Sequence, residues 1–161
     1  MAVTLRNMAT IYLLRDDQIL LLYRRGSRVV NNVWIGSAGG HFEPEEISVP
    51  EACVLREMQE ELGLSADEIT APELRYITLR MTNGEIRQNH YYFANLKTCR
   101  ELASNEGTLQ WFHMNELDGL PMAYTARYMI DHWLKTGRYT DCMYGGVADG
   151  EKVVFTELYA Y

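Results

Sequence analysis

Three glutamates near the middle of this 161-residue chain, Glu57, Glu60 and Glu61, have the type and spacing to bind a metal ion. On a helix, where successive residues are about 100° apart, they share one arc of about 100°. Carboxylates placed so closely repel one another, and Arg56, four residues before Glu60, offsets only part of that repulsion. A hard divalent cation such as Mg²⁺ prefers oxygen ligands and would offset the rest. Taken alone, the acidic arc of this helix is explained equally well by a metal-binding site and by a solvated acidic face.

The glycine pair before this helix favours the metal-binding site. Gly39 and Gly40 end a glycine-rich loop at 36–40, and their backbone can approach a ligand closely, with N–H and C=O groups for a phosphate or a metal. Glu46 adds an acid at the entrance of the helix. His41, directly after Gly40, is a candidate phosphate contact, and an ordinary polar loop residue is the alternative.

A basic cluster follows the second predicted strand and consists of Arg24, Arg25 and Arg28. Guanidinium groups match the geometry of phosphates, so Arg24 and Arg25 are candidates for binding the distal phosphates of a substrate. A solvated loop is the simpler explanation of the same cluster.

The stretch 40–64 resembles the signature of the Nudix family, G-x5-E-x7-R-E-U-x-E-E-x-G-U, in which U is a bulky apolar residue. Gly40 and Glu46 match its first half, and REMQEELGL at 56–64 matches its second half without a substitution. Nine residues rather than seven separate Glu46 from the arginine, and Ser37-Ala38 replaces the apolar residue and proline of many members. The insertion precedes the helix, so it leaves the ligand face unchanged and puts the role of Glu46 in question.

The resemblance implies a metal site for the matching residues. Glu57, Glu60 and Glu61 would bind Mg²⁺, with Mn²⁺ as a substitute, and the carbonyl of Gly40 would complete the shell. Arg56 would orient a carboxylate through a charge-assisted hydrogen bond. The implied cofactor is therefore a divalent cation.

The resemblance also implies catalytic carboxylates. Many members add a glutamate from a distant loop shortly before a strand that contains tryptophan. Glu106, five residues before Trp111, is the candidate here, and an ordinary loop acid is the alternative. Glu60, Glu61 or Glu106 would accept the proton of the attacking water.

Two functions follow from this resemblance. The first is hydrolysis of a phosphate–phosphate bond in a nucleoside diphosphate-linked substrate, such as an ordinary or oxidised nucleoside triphosphate cut to monophosphate and pyrophosphate. This activity is similar to that of the MutT-like, mutator-type enzymes that remove 8-oxo-dGTP. The second is a Nudix-fold module that senses a nucleotide or sugar nucleotide without hydrolysing it. The intact glutamates favour catalysis, whereas the altered glycine loop keeps the sensor open.

Composition limits the partners. A net charge of −7 disfavours binding of a nucleic-acid polymer, yet it is compatible with a small nucleotide whose charge is balanced by cations. The longest apolar run, 19–23, is too short for a membrane span, and the N-terminus does not resemble a signal peptide. Three cysteines, Cys53, Cys99 and Cys142, are an odd number without metal-ligand spacing. They predict reduced thiols in a cytoplasmic protein.

The order of predicted elements indicates one α/β domain over residues 1–161, with the α/β/α sandwich and mixed sheet of the Nudix fold. Ser48 and Glu51 predict a capping box at the start of the first helix. The apolar positions 52, 54, 55, 58 and 62 predict the core face of that helix. A hairpin at 139–161 could pair with a second chain and form a homodimer. The predicted strands are 8–14, 19–23, 74–81, 90–96 and 108–113, and the predicted helices are 49–62 and 121–136.

Overall fold

A mixed β-sheet forms the centre of the fold. The computed structural model describes residues 2–25 and 32–159, and within them nine strands join one sheet. The strands are β1 (Thr4–Arg15), β2 (Gln18–Arg24), β3 (Val33–Ile35), β4 (Ala38–His41), β5 (Glu73–Thr82), β6 (Glu85–Asn95), β7 (Gly107–His113), β8 (Met143–Ala148) and β9 (Val153–Leu158). Their order is β3-β2-β1-β6-β5-β8-β9, with β4 paired to β1 and β7 to β2. The β1–β6 and β5–β8 pairs are parallel.

One helix covers each face of this sheet. Helix α1 (Pro50–Leu62) packs Val54 and Met58 into a buried cluster with apolar residues of β1 and β6. Helix α2 (Tyr124–Lys135) lies on the opposite face, where Trp133 stacks on Phe93 with 4.5 Å between ring centroids. The predicted α/β sandwich with a mixed sheet is confirmed. Neither helix in the described part of the chain has the length and apolarity needed to cross a membrane.

The start of α1 differs from the prediction. Val49 is the N-cap residue, and no side chain caps the helix, so the predicted capping box of Ser48 and Glu51 is wrong. The N–H of Val49 donates to the carbonyl of Glu46, because the chain enters α1 through a 3₁₀ turn that leaves Ser48 outside the helix. The buried face also begins one residue later than predicted: position 52 is exposed, and Cys53 is buried in its place.

The start of α2 differs from the prediction because the preceding segment bonds to β3. The helix was predicted from Pro121, whereas it begins at Tyr124. The carbonyl of Pro121 accepts the N–H of Trp34 at 2.8 Å, which ties this segment to β3. Ala123 then has extended backbone angles as the N-cap residue.

The glycine-rich stretch is a strand rather than the predicted loop. Gly39 and Gly40 lie in β4, opposite Thr10 and Ala9 of β1. Farther along, β1 changes partner from β4 to β2, and Ser37 lies at this junction. Its hydroxyl accepts the N–H of Leu13 at 2.9 Å and donates to a carbonyl of β2 at 2.6 Å. A buried hydroxyl therefore joins the two strands where their ladder is interrupted.

The tail folds into a hairpin of β8 and β9 that closes at Asp149. Arg75, which is buried, donates to the carbonyls of Gly137, Thr140 and Cys142 at 2.5 to 3.1 Å. One side chain of β5 thereby anchors the segment that leads from α2 into the hairpin. The last two residues of the predicted hairpin, 160–161, lie outside the described residues.

Candidate active site

An open cavity of about 190 Å³ lies on the α2 side of the sheet. Its floor is formed by alternate residues of β1 and β6, and the first turn of α2 lies along its rim. Acidic side chains and glycines line one end, and arginines of β5 and β6 line the other. The residues around it are Met8, Thr10, Tyr12, Leu22, Arg24, Ile35, Gly36, Ala38, Gly39, Gly40, Glu61, Arg80, Arg87, Asn89, Tyr91, Glu106, Ala123, Thr125 and Ala126.

The two glycines of β4 permit close packing at the acidic end. A Cβ atom on Gly40 would lie 2.3 Å from an oxygen of the Glu57 carboxylate. A Cβ atom on Gly39 would lie 2.5 Å from the carbonyl oxygen of Ala9. Gly40 therefore makes room for the side chain of Glu57, and Gly39 makes room for the neighbouring strand β1.

Glu61 lies at the boundary between α1 and the cavity. Its carboxylate accepts the N–H of Gly39 at 3.2 Å. Burial raises the pKa of the Glu61 carboxyl to about 7, against the opposing effect of this hydrogen bond. The carboxylates of Glu57 and Glu106 raise it further, and Arg24 lowers it. This end of the cavity thus concentrates negative charge in a partly desolvated place.

Arg56 is the centre of an ion-pair network on α1. Its guanidinium donates to Glu46 and Glu57 at 2.8 Å each, to Glu60 at 3.2 Å, and to the carbonyl of His41 at 3.1 Å. Charge-assisted hydrogen bonds of this kind are stronger and more directional than neutral ones. Arg56 therefore fixes the position of Glu57 beside Gly40.

Glu46 contacts Arg56 even though two extra residues separate it from the helix. Its side chain is 5% exposed, and burial opposes its ionisation, yet hydrogen bonds from Arg56 hold its pKa below the usual value. The thiol of Cys53 lies next to this pair, and burial raises its pKa to about 12. Cys53 is therefore a protonated thiol, and it is free, as are Cys99 and Cys142.

Glu106 reaches the acidic end from the loop before β7. It lines the cavity together with Glu61, and Arg24 at the end of β2 approaches its carboxylate at 3.5 Å. β2 and β7 pair in a register that places Arg24 opposite Gly107. The structure thus brings Arg24, Gly39, Gly40, Glu61 and Glu106 to one cavity.

The other predicted site residues lie elsewhere. Glu60 is 59% exposed and does not line the cavity. His41 borders a separate shallow depression near Phe42, and the guanidinium of Arg25 lies over the ring of Tyr23. Arg28 lies outside the described residues. Contacts of the cavity with Arg25 and His41 would require a different arrangement of these side chains.

The donor atoms around Gly40 have the chemistry that hard divalent cations prefer. They are carboxylate oxygens and a backbone carbonyl, and burial together with the nearby carboxylates of Glu57 and Glu106 raises the pKa of Glu61. Within residues 2–25 and 32–159, no three His, Cys, Asp or Glu side chains are already arranged around one metal position. Arg56 and the N–H of Gly39 hold these carboxylates instead. The set therefore fits a divalent cation in donor type and charge, after side-chain adjustment.

Two arginines and an asparagine of the cavity were absent from the predicted site residues: Arg80, Arg87 and Asn89. The antiparallel register of β5 and β6 places Arg80 opposite Arg87. Polar residues at alternate positions of a central strand were the signal that could have identified them, because such residues face a cavity rather than the core. The prediction instead began this strand at position 90.

Comparison with known proteins gives concordant results. The NUDIX domain family model matches residues 4–134. The uncharacterized Nudix hydrolase YvcI of Bacillus subtilis (strain 168) is 31% identical over 139 residues, which are 81% of this chain and 80% of that protein. The mutator MutT protein of Bacillus halodurans has a TM-score of 0.65 at 24% identity, over 94% of this chain and 97% of that one. The MutT NUDIX hydrolase of Burkholderia pseudomallei has a TM-score of 0.63 at 25% identity, over 80% of this chain and 97% of that one.

Proposed function

The chain belongs to the Nudix hydrolase family, whose members are pyrophosphohydrolases of nucleoside diphosphate-linked substrates, and we propose that it hydrolyses a nucleoside triphosphate to monophosphate and pyrophosphate with Mg²⁺. One observation carries this proposal: Glu61 and Glu106 line one end of an open cavity together with Gly39 and Gly40, and Glu57 packs directly against Gly40.

The helix carboxylates are the metal ligands in this proposal. Glu57, Glu60 and Glu61, with the carbonyl of Gly40, would hold the divalent cation. The bound cation would supply charge neutralisation at the phosphates and acidify the attacking water. Arg56 would keep Glu57 in place, because it already binds that carboxylate at 2.8 Å.

Glu61 and Glu106 are the proposed acceptors of the proton of the water. Glu61 and Glu106 both face the cavity, whereas Glu60 is largely exposed. Arg24 lies beside Glu106 and could bind a phosphate oxygen during the same step. The floor formed by Met8, Thr10 and other residues of β1 and β6 would hold the nucleoside.

A substrate panel tests the proposal. Ordinary and oxidised nucleoside triphosphates, dinucleotides and sugar nucleotides would be incubated with the protein, with and without Mg²⁺, and the phosphate-containing products would be measured. Glu60→Gln and Glu57→Gln should lose turnover, and Glu51→Gln on the exposed side of the same helix is the matched control. Cleavage that needs Mg²⁺ and Glu57 but not Glu51 supports the proposal.

Binding without turnover would support the sensor instead. Calorimetry on the same panel distinguishes the two functions, since a sensor binds a nucleotide and leaves it intact. A protein that binds a nucleotide with Mg²⁺ present, and yields no product from any member of the panel, would refute hydrolysis.

A further inference from the structure

The end of the cavity opposite the glutamates holds a pair of arginines that the hydrolytic step does not use. Arg80 of β5 and Arg87 of β6 lie directly opposite each other in the antiparallel register, and both line the cavity. Like charges at opposed positions of neighbouring strands destabilise a sheet. An anion bound between them would remove that penalty.

Nearby carboxylates neutralise this pair only in part. Glu85 approaches Arg87 at 3.6 Å, but it also binds Arg6 at 2.9 Å. The guanidinium of Arg80 lies over the ring of Tyr124, 5.0 Å from its centroid. Among the residues that the structure describes, no carboxylate lies within 4.0 Å of Arg80. The arginine end of the cavity thus has an excess of positive charge.

Two buried polar atoms of the residues that line this end have no hydrogen-bond partner in the described part of the chain: Nε of Arg87 and Oδ1 of Asn89. A buried polar atom without a partner destabilises the folded state, and a ligand that bonds it removes that penalty. Asn89 lies two residues after Arg87, so both face the cavity. The amide of Asn89 donates to the hydroxyl of Tyr91 at 3.4 Å, which leaves its oxygen as the free acceptor. The two unsatisfied atoms are therefore one hydrogen-bond donor, on Arg87, and one acceptor, on Asn89.

The strand order separates the two ends of the cavity. Between β4, which carries Gly39, and β5, which carries Arg80, lie β1 and β6. Neighbouring strands are about 4.8 Å apart, so the backbones of these two strands are about 14 Å apart. This span exceeds that of a diphosphate and accommodates a nucleoside between the ends. The first turn of α2 borders the arginine end, and the partial positive charge of a helix N-terminus also favours an anion there.

We propose that Arg80 and Arg87 bind a second phosphate group of the substrate, a phosphate monoester on the nucleoside portion remote from the hydrolysed diphosphate. The terminal N–H groups of both guanidiniums would donate to this phosphate, and after side-chain adjustment the buried Nε of Arg87 and Oδ1 of Asn89 would contact the phosphate and an adjacent hydroxyl. The inference rests on the proposed function for the position of the diphosphate, and it makes the preferred substrate a diphosphate-linked nucleotide, triphosphate or other, that has an additional phosphate ester.

Pairs of substrates that differ by a single phosphate test this subsite. Suitable pairs are ADP-ribose and its 2′-phosphate, NADH and NADPH, dephospho-coenzyme A and coenzyme A, and nucleoside 5′-triphosphates with and without a 3′-phosphate. The extra phosphate should raise kcat/KM by about 10- to 100-fold in at least one pair, as expected for charge-assisted contacts. Arg80→Met and Arg87→Met should abolish that preference and change kcat/KM for the unphosphorylated member by less than about threefold.

The control variant is Arg100→Met, which removes the same charge at a residue that pairs with Glu68 outside the cavity. Arg100→Met should keep the full preference. Arg87→Lys, which retains the charge and loses the guanidinium, should keep part of it. Thermal unfolding of each variant establishes that it is folded, and Arg80→Met provides the result if Arg87→Met does not fold.

Calorimetry with Glu60→Gln separates this inference from the proposed hydrolysis. If no substrate is cut but the phosphorylated member binds at least tenfold more tightly in an Arg80-dependent manner, hydrolysis is refuted and the subsite is supported. If substrates are cut and every pair has equal kcat/KM, the hydrolase stands and the subsite is refuted. Equal weakening of both members by the arginine variants would also overturn it, because the arginines would then contact the shared nucleoside. Absence of both turnover and binding across all pairs refutes it as well.

Discussion

Alanine at Gly40 should reduce turnover without unfolding the protein. A Cβ atom there would lie 2.3 Å from Oε1 of Glu57, so the carboxylate must move by about 1 Å to reach ordinary contact distance. A misplacement of that size at a catalytic group lowers the rate by about 100-fold. The atoms in conflict form the far end of a flexible side chain, so we expect the free energy of unfolding to change by less than about 1 kcal/mol.

Alanine at Gly39 is the matched control, one residue away. Its Cβ atom would lie 2.5 Å from the carbonyl oxygen of Ala9 and 2.9 Å from Cα of Thr10. These are backbone atoms of the central strand, which cannot rotate away. Overpacking of this kind costs about 1–3 kcal/mol, so Gly39→Ala should lower stability as well as activity.

Two measurements on both variants decide the matter. Urea unfolding followed by circular dichroism gives the free energy of unfolding, and release of the phosphate-containing products from the best substrate of the panel gives kcat/KM. Wild-type turnover in Gly40→Ala at unchanged stability would refute the role assigned to Glu57. If Gly40→Ala loses as much stability as Gly39→Ala, the view that Gly40→Ala displaces only the side chain of Glu57 is refuted.

Three further predictions concern single side chains. Glu46→Gln should lower the free energy of unfolding by about 1.5–3 kcal/mol near neutral pH, because Arg56 loses a charged partner. The folded pKa of Glu46 is below its ordinary 4.5. Urea titrations should therefore show the stability difference at pH above 4.5 and lose it as the pH falls through the folded pKa. The pKa of Glu61 is raised from 4.5 to about 7 in the folded protein, so ionisation of this residue destabilises the folded state. Without divalent cations, Glu61→Gln should therefore have a higher Tm than the wild type above pH 7 and the same Tm below pH 4.5. Added Mg²⁺ should raise the Tm of the wild type alone. Arg75→Met should cost at least about 2 kcal/mol in urea and speed hydrogen exchange in the tail hairpin, since three carbonyls lose their donor.

Local patterns in the sequence were sufficient to predict the helices and most of the sheet. The stop of α1 at Gly63 follows from chemistry that glycine alone permits easily, since this residue has φ of 66° and its N–H bonds the carbonyl of Gln59. The buried residues Met129, Ile130 and Trp133 of α2 likewise recur at helical spacing in the sequence. Such features depend on neighbours in the chain, which a sequence displays directly.

Features set by distant residues were not predictable in this way. Gly39 and Gly40 have no intrinsic preference for a strand, and they form one because β1 pairs with them. The start of β6 is polar because it faces a cavity, so its pattern did not resemble that of a buried strand. The distribution of Glu57, Glu60 and Glu61 between the cavity, the arginine network and solvent also depends on β4, which no helical wheel includes.

The parallel pairing of β1 with β6 has a consequence for the order of folding. The paired residues are 81 positions apart, so a long loop must close before this contact forms, and such closures slow folding. The segment with β1, β4 and α1 spans residues 4–62 and contains the glutamates next to Gly40. We expect these acids to assemble early, while Arg80, Arg87 and Asn89 are added only when the second half of the chain has been made. A nascent chain would therefore contain Glu57 and Glu61, the metal ligands proposed above, before Arg80, Arg87 and Glu106 have been made.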